Sequence, residues 1–397
     1  MLDMRKRRPL WVEIDLDALD NNMREIRRIV APSVLVTAVV KADAYGTGAV
    51  IVSKELLDNG ADRLAVAVLD EAVELRQAGI TAKILVLGPT SGSRAEELIN
   101  FGIDAPVFHY EDAVAFSDEA VRQNKPVSLH IAIDSGMGRI GYRPSEASVQ
   151  EIIKISKLPN VILEGIFTHF AVADTEDKTF TREQYKKFKS VCDRLQEEHI
   201  SIRIRHCCNS AAILDLPEYH DEMVRAGIIM YGLSPSADID ITRFNFKKVI
   251  SLKCRIDHIK TIKTGDSVSY GRKFMAVKPT RIASLPIGYA DGYTRMLSDK
   301  TEVLVHGKRA KQVGSICMDQ CMIDVTHIPD VKTGDEVVLF GEQKGTELPI
   351  EELANILGTI NYEIICMLAR RVPRVYTRSG TSMCQEVLGE CIDLDNS

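Results

Sequence analysis

The feature that most constrains this chain is a regular alternation of short apolar runs and amphipathic segments between residues 34 and 230. Apolar runs of this length indicate buried strands, and apolar residues spaced three to four apart indicate helices. The apolar runs are 34–40, 64–68, 84–87, 105–108, 127–133, 161–167, 202–207 and 223–230. The clearest helical segments between them are 71–77, 95–99, 145–155 and 181–195. Eight strand–helix units over this length predict an α/β fold, the (β/α)8 TIM barrel.

The alternative is an open, doubly wound parallel sheet. That fold usually carries a Gly-x-Gly-x-x-Gly turn after its first strand. No such turn follows residue 40, so we favour the barrel.

The pattern changes after about residue 240, where helical periodicity fades. Strand-like runs follow at 249–256, 282–286, 302–305, 312–315, 320–325 and 336–340, with one late helix at 350–357. We therefore expect a barrel domain over 12–240 and a mostly β domain over 241–378, to which a strand within 1–11 contributes. Residues 379–397 are polar and poorly patterned, and we expect a loose tail there.

Composition excludes several classes of protein. The net charge of −6 does not favour a nucleic-acid partner. The basic residues 5–8 are followed at once by acidic ones, unlike a signal peptide, and no apolar run approaches a membrane span. Nine cysteines, an odd number, fit neither a disulfide framework nor a zinc pattern. We expect a cytoplasmic protein with no metal site.

Lys41 stands at the end of the first barrel strand. Lysine is rarely buried without a partner, and desolvation lowers its pKa, which makes the amine a nucleophile suited to a carbonyl cofactor. The alternative is a lysine that extends to solvent, and this stretch alone favours that alternative.

Active sites of barrel enzymes lie at the carboxyl ends of the strands. Polar groups follow the predicted strands at Lys41, Asp134 with Arg139, His169, Asn209 with Ser210, and 225–227. A glycine turn at Gly227 and the hydroxyl of Ser210 fit a phosphate held near the last two strand ends. Simple turn and helix-cap chemistry explains either piece equally well.

Arg225 suggests a more specific chemistry. If Lys41 binds pyridoxal phosphate, the pyridine nitrogen of the cofactor needs a partner. Arginine does not release its proton, so it can only donate to an unprotonated nitrogen, which weakens the electron sink and favours reprotonation at Cα. The alternative is a structural salt bridge. Arg139 lies in a glycine-flanked turn that can present it to a carboxylate, and a lone His169 is more often structural.

The β domain contains three further candidates, Tyr270 beside Gly271, the polar break 314–320 and the segment 361–363. A tyrosine can act as an acid or base if its pKa is lowered, and it can equally be an exposed aromatic residue. Composition does not decide between these readings.

Taken together, these motifs resemble the alanine racemase family of pyridoxal-phosphate enzymes over about residues 10–376. The segments that match, in order, are 41–46, 134–141, 168–170, 209–210, 225–232, 269–271, 287–293, 317–319 and 361–362. The resemblance implies racemisation of amino acids, alanine above all, by a homodimer with shared active sites. It also implies that D-alanine serves as a peptidoglycan precursor.

The roles implied by the resemblance fall on matching positions. Lys41 would hold the cofactor and act as the base for the D-enantiomer, and Tyr270 of the other subunit would act on the L-enantiomer. Arg139 and Met318 would contact substrate. The remaining cofactor contacts implied are Tyr45, His169, Asn209, Ser210, Arg225, Gly227, Ile228 and Tyr362.

Three departures from the family pattern stand out. Ala132 occupies a position where many members carry a carbamylated lysine, so Arg139 must be oriented in another way. Thr47 and Ser315 replace residues near the pocket mouth, which leaves a broader serine or basic amino-acid racemase as an alternative. A fold-related decarboxylase is a second alternative, which Arg225 opposes. A non-catalytic cofactor carrier is a third, which Tyr270 and the second domain oppose.

Overall fold

The computed structural model describes residues 8–387 and 390–393. The chain divides into two compact units. The barrel unit comprises Ala18–Ala44 and Ala49–Lys247, and the β unit comprises Met1–Asp17, Tyr45–Gly48 and Lys248–Ser397. Residues 8–17 therefore belong with the β unit.

The barrel unit is built from eight parallel strands. In chain order they are β2 Leu35–Val39, β3 Arg63–Val66, β4 Lys83–Val86, β5 Ala105–Val107, β6 Val127–Ala132, β7 Val161–Phe167, β8 Ile204–His206 and β9 Met223–Ala226. The helices of this part of the chain are α1 Leu16–Ile29, α2 Lys41–Gly46, α3 Ala49–Asp58, α4 Leu69–Gln77, α5 Ala95–Asn100, α6 Tyr110–Gln123, α7 Glu146–Ile155, α8 Thr179–Glu197 and α9 Ser210–Asp215. These strands and helices match the alternating sequence pattern, and the predicted barrel is confirmed.

The barrel closes at two joints between four-stranded sheets. One sheet has the order β4-β3-β2-β9 and the other β5-β6-β7-β8. A parallel bridge between Leu85 and Asp104 joins the edge of β4 to the start of β5. At the other joint, the amide of Arg225 donates to the carbonyl of Cys208 at 3.0 Å. Most strand side chains of the barrel are aliphatic and buried, as expected for a parallel sheet covered on both faces.

The eighth apolar run, 223–230, predicts one continuous strand, whereas the structure has a short strand followed by a 3₁₀ turn. Strand β9 ends at Ala226, and residues Ile228–Tyr231 form a 3₁₀ turn instead of continuing the strand. Gly227 joins the two with φ −123° and ψ −111°, a conformation that glycine accepts readily. Apart from Arg225, the run contains only apolar residues and Gly227, and both of its parts are buried.

The β unit contains the remaining described elements. Its strands are β1 Leu10–Asp15, β10 Ile250–Arg255, β11 His258–Ile262, β12 Ser267–Val268, β13 Phe274–Met275, β14 Thr280–Leu285, β15 Glu302–Val305, β16 Lys308–Gln312, β17 Cys321–Asp324, β18 Glu336–Gln343, β19 Thr346–Leu348, β20 Arg374–Arg378, β21 Thr381–Val387 and β22 Glu390–Asp393. Its helices are α10 Ile350–Leu357 and α11 Asn361–Cys366. The main sheet has the order β11-β14-β17-β16-β15-β18-β10-β1-β20-β21-β22.

The expected loose tail is wrong for the part of it that the structure describes. Strand β21 pairs antiparallel with β20, and β22 pairs with β21, so the stretch extends the edge of the main sheet. Backbone hydrogen bonds to an existing edge stabilise a strand whose own sequence is too polar to signal it. Residues 388–389 and 394–397 of that prediction lie outside the described residues. No helix in the described part of the chain is long and apolar enough to span a bilayer.

Candidate active site

Lys41 follows β2 and opens α2, which is a left-handed turn. Four successive residues after the lysine, Ala42–Tyr45, have φ between 51° and 58°, and none of them is glycine. A left-handed helical conformation costs an L-residue about 1–2 kcal/mol. Strain of this kind concentrates at functional sites, where the surrounding structure must enforce it.

The carboxylate of Glu71 enforces this turn from the start of α4. Its Oε1 accepts the amide of Ala42 at 2.6 Å, and its Oε2 accepts the amide of Ala67 at 2.7 Å. Asp43 contributes from within the turn by accepting the amide of Ala49 at 2.9 Å. One carboxylate therefore fixes the chain just after two neighbouring strands, and the position of Lys41 with it.

Arg139 sits on a tightly folded loop after β6. The Oδ1 of Asp134 accepts the amides of Gly136 and Gly138 at 3.1 and 2.9 Å. Gly141 has φ 118°, and a Cβ there would lie 2.6 Å from the amide nitrogen of Asp134, so the return of the loop requires glycine. Within the described residues, the exposed guanidinium of Arg139 has no hydrogen bond or salt bridge. The loop thus holds a cation available to an incoming anion.

Arg225 is buried near the end of β9 and is surrounded by acceptors. Its Nη1 donates to Nδ1 and to the carbonyl of His206, both at 2.9 Å. Its Nη2 donates to the carbonyl of Thr168 at 2.9 Å, to the carbonyl of Cys207 at 3.2 Å and to Nδ1 of His169 at 3.2 Å. None of these partners is a carboxylate, so Arg225 does not form the structural salt bridge that the sequence also allowed. Burial lowers the pKa of Arg225 to about 10.

Three positively charged side chains lie near His169. Burial, followed in order of size by the charges of Arg225, Arg139 and Lys41, lowers its pKa to about 3. The imidazole is therefore neutral at physiological pH. Because Arg225 donates to Nδ1, the ring proton lies on Nε2. The carboxyl ends of the strands thus hold an excess of positive charge around one neutral ring.

Ser210 and Gly227, which the sequence suggests as phosphate-binding residues, connect the ends of the last two strands through a hydrogen bond. The amide of Gly227 donates to Oγ of Ser210 at 3.0 Å, which leaves the hydroxyl proton of Ser210 as a donor. Asn209 caps α9, because its Oδ1 accepts the amide of Ala212 at 3.1 Å. Ile228 follows Gly227 at the start of the 3₁₀ turn. Asn209 therefore has a structural function that the sequence also allowed.

In the β unit, Tyr270 projects from a strained loop between β12 and β13. Ser269 before it has φ 65° and ψ −177°, and Gly271 after it has φ 73°. The hydroxyl of Ser269 donates to the carbonyl of Ser315 at 2.6 Å, and the hydroxyl of Ser315 donates to the carbonyl of Tyr270 at 3.0 Å. The two serines therefore fix the backbone of a tyrosine whose side chain is 71% exposed.

Met318 lies on a second fixed loop of the β unit. The amide of Ala290 donates to the carbonyl of Met318 at 3.0 Å, and that of Tyr289 to the carbonyl of Cys317 at 3.0 Å. A Cβ at Gly288 would lie 2.3 Å from the carbonyl oxygen of Cys317, so the two loops touch through their backbones. The carbonyl of Met318 is thereby occupied, while its side chain is 54% exposed.

The buried carboxylate of Asp291 stabilises this pair of loops. It accepts from Nη1 and Nη2 of Arg8 at 2.5 and 2.6 Å, from Nε of Arg371 at 2.8 Å and from the amide of Gly288 at 3.0 Å. Arg371 also donates to Asp319 at 2.7 Å, next to Met318 in the chain. A buried carboxylate satisfied in this way holds its surroundings firmly.

Tyr45 and Tyr362 pair within the β unit, with ring centroids 6.2 Å apart. Burial raises the pKa of Tyr45. The backbone beside Tyr45 is held by Arg374, whose Nε donates to the carbonyl of Gly46 at 3.0 Å, and by Tyr376, whose hydroxyl donates to the carbonyl of Thr47 at 2.8 Å. The segment that carries Tyr45 is therefore rigid.

Thr47 and Ser315, the two departures from the family pattern expected at the pocket mouth, are buried in the β unit. Thr47 and Ser315 are each 1% exposed. Ser315 supports Tyr270, and Thr47 offers its carbonyl to Tyr376. Ala132 is buried at the end of β6, and its methyl group carries no charge that could orient Arg139.

Sequence reasoning assigned no role to several residues that shape the site. They are Glu71, His206, Ser269, Asp291 and Arg374. His206 lay inside an apolar run, where a histidine is a visible signal that could have been followed. Glu71, Ser269 and Arg374 act on backbone groups, which leave no motif, and Asp291 acts mainly on two arginines distant from it in the chain. The residues that the structure describes contain no cluster of three His, Cys, Asp or Glu able to hold a metal.

Comparison with known proteins agrees with this geometry. The family model for the N-terminal domain of alanine racemase matches residues 14–235, and that for the C-terminal domain matches 249–376. The chain is 54% identical to the alanine racemase of Clostridium tetani over 374 residues, covering 94% of this chain and 96% of that protein. It is 51% identical to alanine racemase 1 of Clostridium acetobutylicum over 373 residues, with the same shares covered.

Solved structures give the same result. The alanine racemase of Clostridium difficile 630 superposes with a TM-score of 0.92 at 44% identity, covering 96% of this chain and 98% of that one. That of Bacillus anthracis, solved with bound L-Ala-P, gives a TM-score of 0.89 at 40% identity, covering 98% and 99%. Fold, strand-end chemistry and relatives agree, and the chain belongs to the alanine racemase family of isomerases.

Proposed function

We propose that this protein interconverts L-alanine and D-alanine with pyridoxal phosphate as cofactor. The observation that carries the proposal is the group of Lys41, Arg139, Arg225 and neutral His169 at the carboxyl ends of the barrel strands. A lysine amine, two arginines and no carboxylate among the partners of Arg225 suit a ligand that is an aldehyde and an anion. The relatives named alanine racemase support the same substrate.

The donor chemistry of these residues fits the cofactor. Lys41 would bind it covalently, and Arg225 would donate to its ring nitrogen. Ser210, whose hydroxyl proton is available, would bind the phosphate together with backbone and aromatic groups. The residues proposed for that surrounding are Tyr45, Asn209, Gly227, Ile228 and Tyr362. When bound, the cofactor withdraws electrons and makes the α-proton of an amino acid acidic.

Arg225 would set the outcome of the reaction. All five of its hydrogen bonds in the barrel are donated, and its pKa of about 10 keeps it protonated at neutral pH. An arginine in this state gives no proton to the ring nitrogen. Reprotonation at Cα would then be favoured over transamination or decarboxylation. The decarboxylase alternative is disfavoured for this reason.

Racemisation requires two proton carriers on opposite faces of a planar carbon. Lys41 would exchange the α-proton of D-alanine, and Tyr270 would exchange that of L-alanine. Arg139 and the backbone of Met318 would hold the substrate carboxylate. The rigid loops under Arg139, Tyr270 and Met318 fit this role, because bases and binding groups must be held in place to act.

Tyr270 and Met318 would act on the barrel site of a partner subunit. Both side chains are largely exposed in the single chain, and other apolar residues of the β unit are exposed with them. The additional exposed residues are Met275, Val277, Tyr289, Met296 and Ile360. Apolar exposure of this extent is typical of an interface. We therefore propose a homodimer with shared active sites.

The substrate test uses circular dichroism of the holoenzyme with L-alanine, L-serine and L-lysine in separate cuvettes. Loss of optical signal from L-alanine, with slower loss from the other two, is the expected result. Equal or faster loss from serine or lysine would contradict the choice of alanine.

The cofactor test uses the visible absorbance of the lysine-bound cofactor. Lys41→Ala should abolish the band, because the covalent link is lost, and should abolish racemisation. Lys54→Ala, at an exposed lysine on α3, is the matched control and should retain both. A Lys41→Ala protein that kept the band and full activity would overturn the proposal.

A further inference from the structure

A column of buried polar side chains runs from Arg225 into the interior of the barrel unit. Nη1 of Arg225 lies 2.9 Å from Nδ1 of His206, and Nε2 of His206 lies 2.9 Å from Nδ1 of His130. Both imidazoles are fully buried. The interior of such a barrel is normally filled by branched aliphatic side chains, so two adjacent histidines there require a reason.

Arg225 determines the protonation of both rings. A guanidinium offers only donors, so Nδ1 of His206 must accept and its proton must lie on Nε2. That N–H donates to Nδ1 of His130, whose own proton must then lie on Nε2. Burial lowers the pKa of His130 to about 3 and that of His206 well below its usual value, so both rings are neutral. The column therefore has one direction, with every N–H aimed away from Arg225.

The column ends at three buried atoms. Nε2 of His130 lies 4.0 Å from Oδ2 of Asp104, and Nη1 of Arg63 lies 3.6 Å from the same oxygen. Within the described residues none of these three atoms has a hydrogen-bond partner. The other polar atoms nearby are satisfied, since Lys83 donates to Oδ1 of Asp104 at 2.8 Å and Arg63 donates from Nη2 to Glu164 at 2.6 Å.

Two donors and one acceptor thus surround a single point. A cation there would face the guanidinium of Arg63, and an anion would face the carboxylate of Asp104. Water alone satisfies all three atoms, because it can accept from Arg63 and His130 and donate to Asp104. We propose that this point binds one water molecule, and that His206, His130 and Asp104 are positioning residues that hold the guanidinium of Arg225 in place. The effect on the reaction rests on the proposed function.

The backbone of the barrel is shaped to admit the ring of His130. The pairing of β6 with β7 shifts register between Leu129 and His130, which skips Glu164 and places Gly165 opposite the histidine. A Cβ at Gly165 would lie 2.2 Å from Nδ1 of His130. Bulges next to active sites redirect side chains, and here the skipped Glu164 reaches Arg63. Bulge and glycine together serve the same polar column.

The water site and the ring protonation are tested on the wild-type holoenzyme. A high-resolution crystal structure should show one solvent molecule within hydrogen-bond distance of Arg63, Asp104 and His130. Solid-state NMR of the ¹⁵N-histidine-labelled protein should show His130 and His206 neutral, with the proton on Nε2. A direct bond between His130 and Asp104 without solvent, or a proton on Nδ1 of His206, would overturn the proposal.

The positioning effect is tested with two variants that act differently. His130→Phe keeps a ring and removes the acceptor, while Gly165→Ala displaces the ring and removes no polar group. Each should lower kcat about tenfold, as loss of supporting hydrogen bonds does at other sites, and should shift the ¹⁵N resonance of His206. His109→Phe, at an exposed histidine before α6, should do neither.

The outcomes separate the two proposals. Folded His130→Phe and Gly165→Ala proteins with wild-type kcat would overturn the positioning role. A wild-type protein that does not racemise alanine would overturn the proposed function, whereas the solvent density and the ¹⁵N shifts would still decide the structure of the column.

Discussion

The strained loop under Tyr270 gives the most quantitative prediction. Ser269 has φ 65° and ψ −177°, a region that is essentially restricted to glycine and costs other residues about 1–3 kcal/mol. Two hydroxyl hydrogen bonds, from Ser269 and from Ser315, oppose that cost. Each contributes about 0.5–1.5 kcal/mol net. The cost of the backbone strain and the stabilisation from the two hydrogen bonds are therefore nearly equal. The orientation of Tyr270 should respond to the loss of either bond.

The variants should follow an order that stability arguments alone do not give. Ser315→Ala removes one bond, so the productive position of Tyr270 loses about 1 kcal/mol and kcat should fall about fivefold. Ser269→Ala removes one bond and keeps the strain, so its kcat should fall by at least the same factor. Ser269→Gly removes both the bond and the strain, and its kcat should stay within about twofold of the wild-type value.

The assay is the initial rate of racemisation followed by circular dichroism, with cofactor content measured by absorbance. Cofactor content should not change in any of these variants. Ser190→Ala is the matched control, because its exposed hydroxyl donates to the carbonyl of Lys187 in a helix. The reasoning would be refuted if Ser315→Ala kept full kcat, or if Ser269→Gly lost as much activity as Ser269→Ala.

Three further predictions use the same contacts. His130 and His169 have a pKa of about 3 in the folded protein and about 6.5 when unfolded, so between these pH values they bind protons only on unfolding. The free energy of unfolding should therefore fall by about 1 kcal/mol for each histidine between pH 6.5 and 5.5, and the decrease approaches about 1.4 kcal/mol per pH unit at lower pH. Urea titrations at pH 6.5 and 5.5 measure this, and His130→Gln should reduce the slope by one proton. Arg225→Lys offers three N–H groups, whereas the five hydrogen bonds of Arg225 use the four N–H groups of Nη1 and Nη2. The substitution should lower the free energy of unfolding by about 2 kcal/mol in the same titration, and an unchanged value would contradict the hydrogen-bond account. Gly288→Ala should displace the Met318 loop and raise KM for alanine at least tenfold, whereas wild-type KM would show that this contact does not position substrate.

The sequence predicted the barrel well because its signal is repeated. Apolar runs and amphipathic segments alternate eight times, and errors of one or two residues at element ends do not change that count. The placement of Lys41, His169 and Arg225 at one end of the barrel could be predicted for a related reason. Polar residues at the carboxyl ends of buried parallel strands, or directly after them, must lie at one end of such a barrel.

Other features could not be predicted from residue patterns. The left-handed turn after Lys41 places four non-glycine residues in a conformation that propensities disfavour, and the carboxylate that enforces it, Glu71, is 30 residues away. The partners of Arg225 are mostly backbone carbonyls, which every residue possesses. Strand β21 forms because β20 offers an edge, although its own sequence is polar.

The central claim, that Lys41 and Tyr270 serve opposite faces, cannot be tested by steady-state efficiency alone. The two enantiomers of alanine have equal free energy, so kcat/KM must be the same in both directions for any variant. Exchange of the α-proton with solvent has no such constraint. It reports separately on the base that removes the proton from each enantiomer.

The most direct measurement is therefore ¹H NMR of D-alanine and of L-alanine in D₂O with Tyr270→Phe holoenzyme. The account predicts that D-alanine loses its α-proton signal through Lys41 without inversion, while L-alanine keeps its signal at least a hundredfold longer than with wild-type enzyme. Exchange of both enantiomers at similar rates, or faster exchange of L-alanine, would contradict the assignment of Tyr270 as the base for the L-enantiomer.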